Sequence, residues 1–306
     1  MKDKKKRKDV AEFLLKLSEN VLLLHSDLLD KTYTHSNYHA FNISDPKPRN
    51  IHKASVRDRL LHHAIYKVLY PYFDKRFIHD SYSCRLYKGT HKAMERFKKF
   101  AYKVSKNNTK TCFILKCDIR KFFTSIDHEV LLFILEKHIE DKDTLWLLEQ
   151  IISSFSTNPM GKTYGVKGLP LGNLTSQLLV NVYMNEFDQF VKHKLKIKHY
   201  IRYADDFVIM NEDKDYLKDK LRYIVIYLDQ TLKLQLHPNK VFIKTLSSGV
   251  DFLGWAHFPN HRVLRTSTKR KMMRRLKEAN VKSETVQSYL GMLKHGNAYK
   301  LKTHIH

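Results

Sequence analysis

A chain of 306 residues with 42% hydrophobic side chains can bury a real core, and by length alone it can hold one large domain or two or three smaller subdomains. Its 56 Lys and Arg against 31 Asp and Glu leave a formal charge of +25 spread through nearly every segment, and a folded body so charged repels itself unless a polyanion neutralises it. Nucleic acid is the expected polyanion; an anionic membrane would want a basic amphipathic helix or an apolar span, and no run approaches the roughly 18 uninterrupted apolar residues of a span.

The opening MKDKKKRKDV has the charge of a secretion signal, but Glu12, Lys16 and Glu19 break the stretch behind it, so a cytoplasmic protein is expected. Cys84, Cys112 and Cys117 form no CxxC pair and are expected to be buried, reduced thiols. The histidines show no HExxH or other ligand spacing, which argues against a histidine metal site.

In chain order, apolar residues from Val10 to Leu28 recur at helical spacing and predict one amphipathic helix over Asp9–Leu29 behind the basic tail. Lys31–Ser55 reads as loop and short extended pieces, with a turn at Asp45-Pro46-Lys47-Pro48. Helices are predicted over Val56–Phe73 and Thr90–Val104, the second with a lysine-rich face that either is simply solvated or lies along a nucleic-acid backbone. Thr111–Cys117 is a continuous β-prone run, a buried strand with Asp118 at its tip. Helices over Asp127–His138 and Asp143–Ser154 follow, then the loop GKTYGVKGLPLGN and a long helix from Leu174 to about Lys196. Strands Tyr200–Tyr203 and Phe207–Met210 flank a bend at Asp205-Asp206. A helix over Asp213–Thr231, strands near Lys233–Leu236 and Val241–Lys244, and two basic helical pieces from Thr266 onward complete the chain. No internal repeat or low-complexity linker separates these parts.

The chemistry concentrates at Tyr203-Ala204-Asp205-Asp206. Adjacent carboxylates at a hairpin tip repel each other and pack against nothing, which costs stability unless a divalent cation lies between them. An isolated Asp-Asp turn is more often a solvated corner, but Asp118 at the end of a buried strand supplies the third carboxylate that a two-metal site needs. Asp127 is read as the cap of the next helix, not as a fourth ligand.

Three ordered motifs carry a family resemblance. Asp118-Ile-Arg-Lys-Phe-Phe-Thr-Ser-Ile-Asp-His resembles motif A of reverse transcriptases, Gly168-Leu-Pro-Leu-Gly-Asn-Leu-Thr-Ser-Gln177 motif B, and Tyr203-Ala-Asp-Asp206 motif C. Arg49 and Arg57-Asp-Arg59 resemble the fingers motifs, Leu236-His-Pro-Asn-Lys240 motif D, and Phe252-Leu-Gly-Trp255 the primer-grip region, so the likeness covers roughly residues 40–260. It implies an α+β right-hand polymerase: N-terminal helix and fingers over 1–110, a palm over 111–260 with an antiparallel sheet flanked by helices and a fingers insertion at about 128–170, and a short helical thumb over 261–306. The implied activity is RNA-directed DNA polymerisation with two Mg²⁺ ions at Asp118, Asp205, Asp206 and the backbone of Ile119, Asp206 supporting the ion at the primer 3′-hydroxyl.

Further roles follow from the resemblance. Phe123 would lie under the incoming sugar and leave no room for a 2′-hydroxyl, unless Phe122 and Phe123 merely alternate about the sheet. Lys47, Arg49 and Arg59 would clamp the triphosphate; Arg85 and Lys88 would contact template or nucleotide, or else only cover the fingers surface. Tyr203 joins the substrate set, and Lys240 would protonate the pyrophosphate, or is a surface lysine after a Pro-Asn turn. In motif B, Leu171-Gly172 and Ser176-Gln177 replace the usual Gln-Gly and Ser-Pro, which is similar to the reverse transcriptases of diversity-generating retroelements. Those enzymes copy a template RNA with errors at adenines and work with a structured RNA and a small helical accessory protein. The short run after Trp255 resembles a minimal thumb with no room for RNase H, maturase or endonuclease segments. Two alternatives stay open: another group II-like bacterial reverse transcriptase, for example one serving phage defence, and an RNA-binding scaffold that has lost catalysis.

Overall fold

The computed structural model describes residues 6–44, 48–157, 165–278 and 282–303. In chain order the elements are α1 (Lys8–Leu15), α2 (Leu17–Leu29), β1 (His39–Ile43), β2 (Arg49–Lys53), α3 (Val56–Asp74), α4 (Thr90–Val104) and β3 (Phe113–Asp118). There follow α5 (Phe122–Ser125), α6 (His128–Glu136), α7 (Lys142–Ser153), α8 (Leu174–Gln189), β4 (Tyr200–Tyr203), β5 (Asp206–Asn211) and α9 (Lys214–Gln230). Last come β6 (Phe242–Thr245), β7 (Val250–Phe252), β8 (Trp255–His257), β9 (Arg262–Leu264), α10 (Thr266–Leu276), α11 (Ser283–Leu293) and α12 (Tyr299–Lys302). The chain divides into two compact units, each assembled from three segments.

The first unit comprises Met1–Ile78, Ile119–Phe190 and Ile226–Gln235. Its helix α8 is buried nearly all round and packs against α3, while β1 and β2 form an antiparallel hairpin in which Ile43 pairs with Arg49. Asp127 caps α6 by accepting from the Val130 amide at 3.1 Å, as its position before an apolar run predicts. The single helix expected over Asp9–Leu29 is instead two, broken at Lys16. The reason is that the two halves meet different neighbours: α1 packs on α3 and anchors Asp9 to Lys53 and Arg59, whereas Leu24 of α2 packs on Tyr33 and Leu61.

The second unit comprises His79–Asp118, Val191–Val225 and Leu236–His306. Its four-stranded antiparallel sheet has the order β4-β5-β3-β6. The central strand β3 buries Ile114, Leu115 and Cys117 completely, and a helix overlies the face that carries Ile114. That helix is α4, whose Phe97, Phe100, Ala101 and Val104 close over Ile114, Ile201, Val208 and Met210. A three-stranded sheet, β7-β8-β9, adjoins a second apolar cluster of Met94, Trp255, Leu264, Met272 and Leu293, which joins α10 and α11 to it.

Three further expectations are corrected. The α-helix from Leu174 ends at Gln189 and passes into a π-turn over Phe190–Lys194, which the Lys192 ammonium closes by donating to the carbonyls of Ile197 and Lys198. Lys233–Leu236 forms no strand, only a bridge at Leu236, because the Leu234 amide is taken by the Leu228 carbonyl and the Gln235 carbonyl by the Arg120 amide. Cys112 and Cys117 are buried free thiols, but Cys84 is exposed in a loop where it adopts φ +53°.

Candidate active site

Asp118 is the last residue of β3 and Asp206 the first of β5, and the two are direct register partners. Opposed residues of an antiparallel pair project from the same face with Cβ atoms about 5 Å apart, and like charges there destabilise the pairing. The link between β4 and β5 is the tight turn Ala204-Asp205, with Ala204 in the left-handed region at φ +55°. Arg202, wholly buried on β4, donates from Nη1 to the Ala204 carbonyl at 3.2 Å and from Nη2 to Ser81 Oγ at 3.1 Å, which fixes this turn. Nothing in the sequence reading singled out Arg202; a lone arginine inside the apolar run Tyr-Ile-Arg-Tyr was the available signal.

The carboxylates are not bare. Lys116, on β3 and on the same face as Asp118, brings its ammonium to 3.2 Å from Asp206 Oδ2, and Lys240 brings its own to 2.8 Å from Asp118 Oδ1. The expectation that the Asp pair packs against nothing is therefore corrected for Asp206, which is mostly buried and ion-paired. Burial pushes the Asp206 carboxyl up to about 7; Lys116 opposes the rise, and the charges of Asp205 and Asp118 add to it. Both other acids thus act on Asp206. The Lys240 segment hangs on the same strand end, since the His237 amide donates to the Asp118 carbonyl at 2.8 Å.

Of the other expected site residues, Arg85, Lys88 and Tyr203 lie in this second unit. Arg85 donates to the Ser81 carbonyl, Lys88 to the His79 carbonyl, and the Tyr203 hydroxyl accepts from Thr90. Arg49, Arg59, Ile119, Phe123, Leu171, Gly172 and Gln177 belong to the first unit, and Lys47 lies outside the described residues. Arg49 is exposed on β2, and Arg59 donates to Asp9 at 2.7 Å. Ile119 is fully buried. Phe122 and Phe123 do not alternate on a strand but share the helical turn α5, Phe122 buried and Phe123 half-exposed, and the Leu169 amide donates to the Phe123 carbonyl at 2.8 Å. The Leu171 carbonyl accepts from the His52 amide and Asn173 Nδ2 donates to the His52 carbonyl, so β2 holds the motif B loop from both sides of Gly172. Gln177 is half-buried in the first turn of α8.

Among the described residues no group of three or more His, Cys, Asp and Glu stands as a ready metal cage. The donor chemistry nevertheless fits a hard divalent cation: two opposed carboxylates, a third in the adjoining turn, and a buried Asp206 Oδ1 with no hydrogen-bond partner among the described residues. Lys240, the more exposed of the two ammonium groups, is the one able to yield its place. Among the described residues no helix is long and apolar enough to cross a membrane.

Protein YkfC of Escherichia coli is 24% identical over 266 residues, covering 76% of this chain and 67% of that protein. The group II intron-encoded protein LtrA of Lactococcus lactis is 22% identical over 276 residues, covering 68% of this chain and 44% of LtrA. Apo telomerase from Candida tropicalis superposes with a TM-score of 0.57 at 12% identity, over 82% of this chain and 51% of that one; the same telomerase with a fragment of telomeric RNA gives 0.58 at 13%, over 88% and 51%. The chain therefore spans about two thirds of YkfC, under half of LtrA and about half of the telomerase. These likenesses confirm the expected α+β right-hand polymerase fold and place homologues among the group II intron-encoded proteins. The family model described as reverse transcriptase (RNA-dependent DNA polymerase) matches residues 43–257, through β3, the motif B loop and the β4–β5 turn alike, and the chain belongs to that family of nucleotidyltransferases.

Proposed function

We propose that the chain is an RNA-directed DNA polymerase that copies a template RNA into cDNA. The observation that carries this reading is the register pairing of Asp118 with Asp206 beside the Ala204-Asp205 turn, inside a reverse transcriptase domain. Asp118, Asp205 and the Ile119 carbonyl would hold two Mg²⁺ ions, with Asp206 in support. When bound, such ions lower the pKa of the primer 3′-hydroxyl and offset charge at the transferring phosphorus. Lys240, released from Asp118, holds a proton for the leaving pyrophosphate. Arg49, Arg59, Lys47 and Arg85 bind the triphosphate and template, Phe123 excludes a 2′-hydroxyl, and Tyr203, Leu171, Gly172 and Gln177 shape the nucleotide site. In this reading residues 1–110 carry the N-terminal helix and fingers, 111–260 the palm with its insertion, and 261–306 the thumb.

We infer further that the enzyme serves a diversity-generating retroelement in the cytoplasm, with a structured RNA and a small helical accessory protein as partners. The support is the apolar Leu171 before Gly172 together with Ser176-Gln177, since loss of a polar side chain near the templating base would weaken the geometric check on the new base pair. The likeness to the intron-encoded LtrA favours a second reading, another group II-like bacterial reverse transcriptase of the same chemistry. One experiment tests both levels. On a primed RNA template, Asp205→Ala is expected to cut incorporation by two orders of magnitude or more, about 3 kcal/mol of transition-state stabilisation; equal incorporation by both proteins removes the site assignment. Sequencing the wild-type cDNA, with cognate RNA and accessory protein supplied, should show substitutions concentrated at template adenines, and faithful copying there removes the diversification claim alone.

A further inference from the structure

The end of β4 remote from the Ala204-Asp205 turn carries a concentration of positive charge that the polymerising chemistry does not use. Helix α4 presents Lys92, Arg96, Lys99 and Lys103 at helical spacing along one face, with its apolar face closed against the sheet. The segment leading into β4 reads Lys192-His-Lys-Leu-Lys-Ile-Lys-His199, and Lys194, Lys196 and Lys198 are all exposed. This segment is not a loose tail: Lys192 donates to two of its carbonyls at 3.0 Å each, and the Ile197 amide donates to the Val191 carbonyl at 3.1 Å.

The two elements converge on His199, whose ring meets Phe100 of α4 edge-on at 5.1 Å. Burial first, then the charges of Lys103, Lys192, Lys198 and Arg96, hold its protonation below the ordinary histidine range. Arg96 is offset by Asp80 at 2.8 Å. Among the described residues no carboxylate pairs with Lys92, Lys99, Lys103, Lys194, Lys196 or Lys198.

We propose that this face, formed by α4 and the Lys192–His199 segment, is a docking surface for the phosphate backbone of double-helical RNA, separate from the polymerising centre. From Lys92 to Lys103 the stripe runs about 16 Å at the rise of an α-helix. Duplex nucleic acid carries one charge per ~1.7 Å of axis, so roughly ten phosphates lie along such a length. A single strand would call for a row of stacking aromatics, and α4 exposes one tyrosine, Tyr102, and one histidine, His91, which already stacks on His295. An anionic membrane would call for an apolar wedge beside the charges, and the apolar side of α4 is already buried. The His199 end of the face, with Lys99, Lys103, Lys196 and Lys198, is separate because β4 itself, four residues at about 3.3 Å each, stands between His199 and the Ala204-Asp205 turn, whereas Lys92 at the other end follows Thr90, which meets Tyr203.

The test uses the full chain with Lys99, Lys103, Lys196 and Lys198 all changed to Gln, and the same four changed to Arg as the charge-keeping control. The probe is an RNA stem of about 16 base pairs closed by a loop at each end, so that it offers no primer terminus. The Gln variant is expected to bind this stem at least tenfold more weakly near physiological salt, with the slope of log affinity against log salt reduced by about 3, while the Arg variant keeps both. Extension of a short primer–template is expected to stay unchanged in both variants. Unaltered stem affinity and slope in the Gln variant overturn the proposal, as does an equal loss of short primer–template extension, which would assign the face to the polymerising track. A loss seen on phosphatidylserine vesicles but not on the stem overturns it in favour of a membrane. Stem binding needs no catalysis, so repeating it in the Asp205→Ala background separates this proposal from the polymerase reading.

Discussion

Gly172 shows how one position can couple backbone geometry to the packing of a loop against a strand. It adopts φ +112°, and a Cβ added there would stand 2.8 Å from Cγ2 of Ile51 on β2. Both penalties fall on any side chain: the left-handed region is strained for an L-residue, and the contact forces either β2 or the motif B loop to move. Gly172→Ala is expected to lower the unfolding free energy by about 1–3 kcal/mol in urea denaturation. Adding Ile51→Ala should relieve the contact but not the backbone strain, so the double variant should recover only part of the loss on that account. Full recovery would mean that the positive φ costs nothing here. The lysines at the carboxylates teach a related lesson about charge: Lys116 on a central strand and Lys240 on an exposed turn each meet one aspartate, so the acids are held by cations before any substrate arrives.

At the level of elements, α3 and α8 are joined by a buried polar chain as well as by apolar packing. His62 on α3 shares a proton with Thr175 Oγ1 of α8 at 2.6 Å, and its other nitrogen faces His35 Nε2 at 3.1 Å. The second contact needs one N–H and one bare nitrogen, so the pair cannot stay bonded with both rings fully protonated. Burial, with His35 adding to it and Asp58 opposing, pushes His62 down to about 4. Its folded pKa lies below the ordinary 6.5, so its contribution to stability is present above 6.5 and is lost as pH falls towards 4. Between pH 7.5 and 5 wild type is expected to lose about 2 kcal/mol more in urea unfolding than His62→Gln; parallel pH profiles would sink this assignment. None of that network was legible in the sequence, because it depends on which buried faces of α3 and α8 meet. By contrast, β3 was legible from its unbroken apolar run, α4 from its periodicity and the α6 cap from Asp127, each a local signal. The break at Lys16 was hidden because the apolar spacing runs straight through it, and only the separate partners of α1 and α2 require it. For the candidate site, the carboxylates announced themselves at a strand end and a turn. The Lys116–Asp206 pair and the Arg202 clamp did not, since both are set by strand register and by Ser81, far away in sequence.

For the molecule as a whole the governing quantity is the formal charge of +25. Among the described residues, most acids that find partners do so at exposed or half-exposed positions, as in Lys31–Asp143, Lys53–Asp9 and Arg265–Asp251. Such pairs contribute at most about 1 kcal/mol each and weaken with salt. The excess cations repel over a distance set by the Debye length, ~30 Å at 0.01 M and ~8 Å at physiological ionic strength, so salt relieves many long-range repulsions while it weakens a few short attractions. The repulsive sum wins at this charge, and the thermal midpoint is expected to rise by several degrees as sodium chloride goes from about 0.01 M to about 0.15 M. Short RNA at low salt should raise it further, since a polyanion that binds only the folded protein adds its binding free energy to stability. A midpoint that falls with chloride would mean that native ion pairs outweigh the surplus charge. In that case the basic composition would reflect balanced local pairing instead of an unmet demand for nucleic acid.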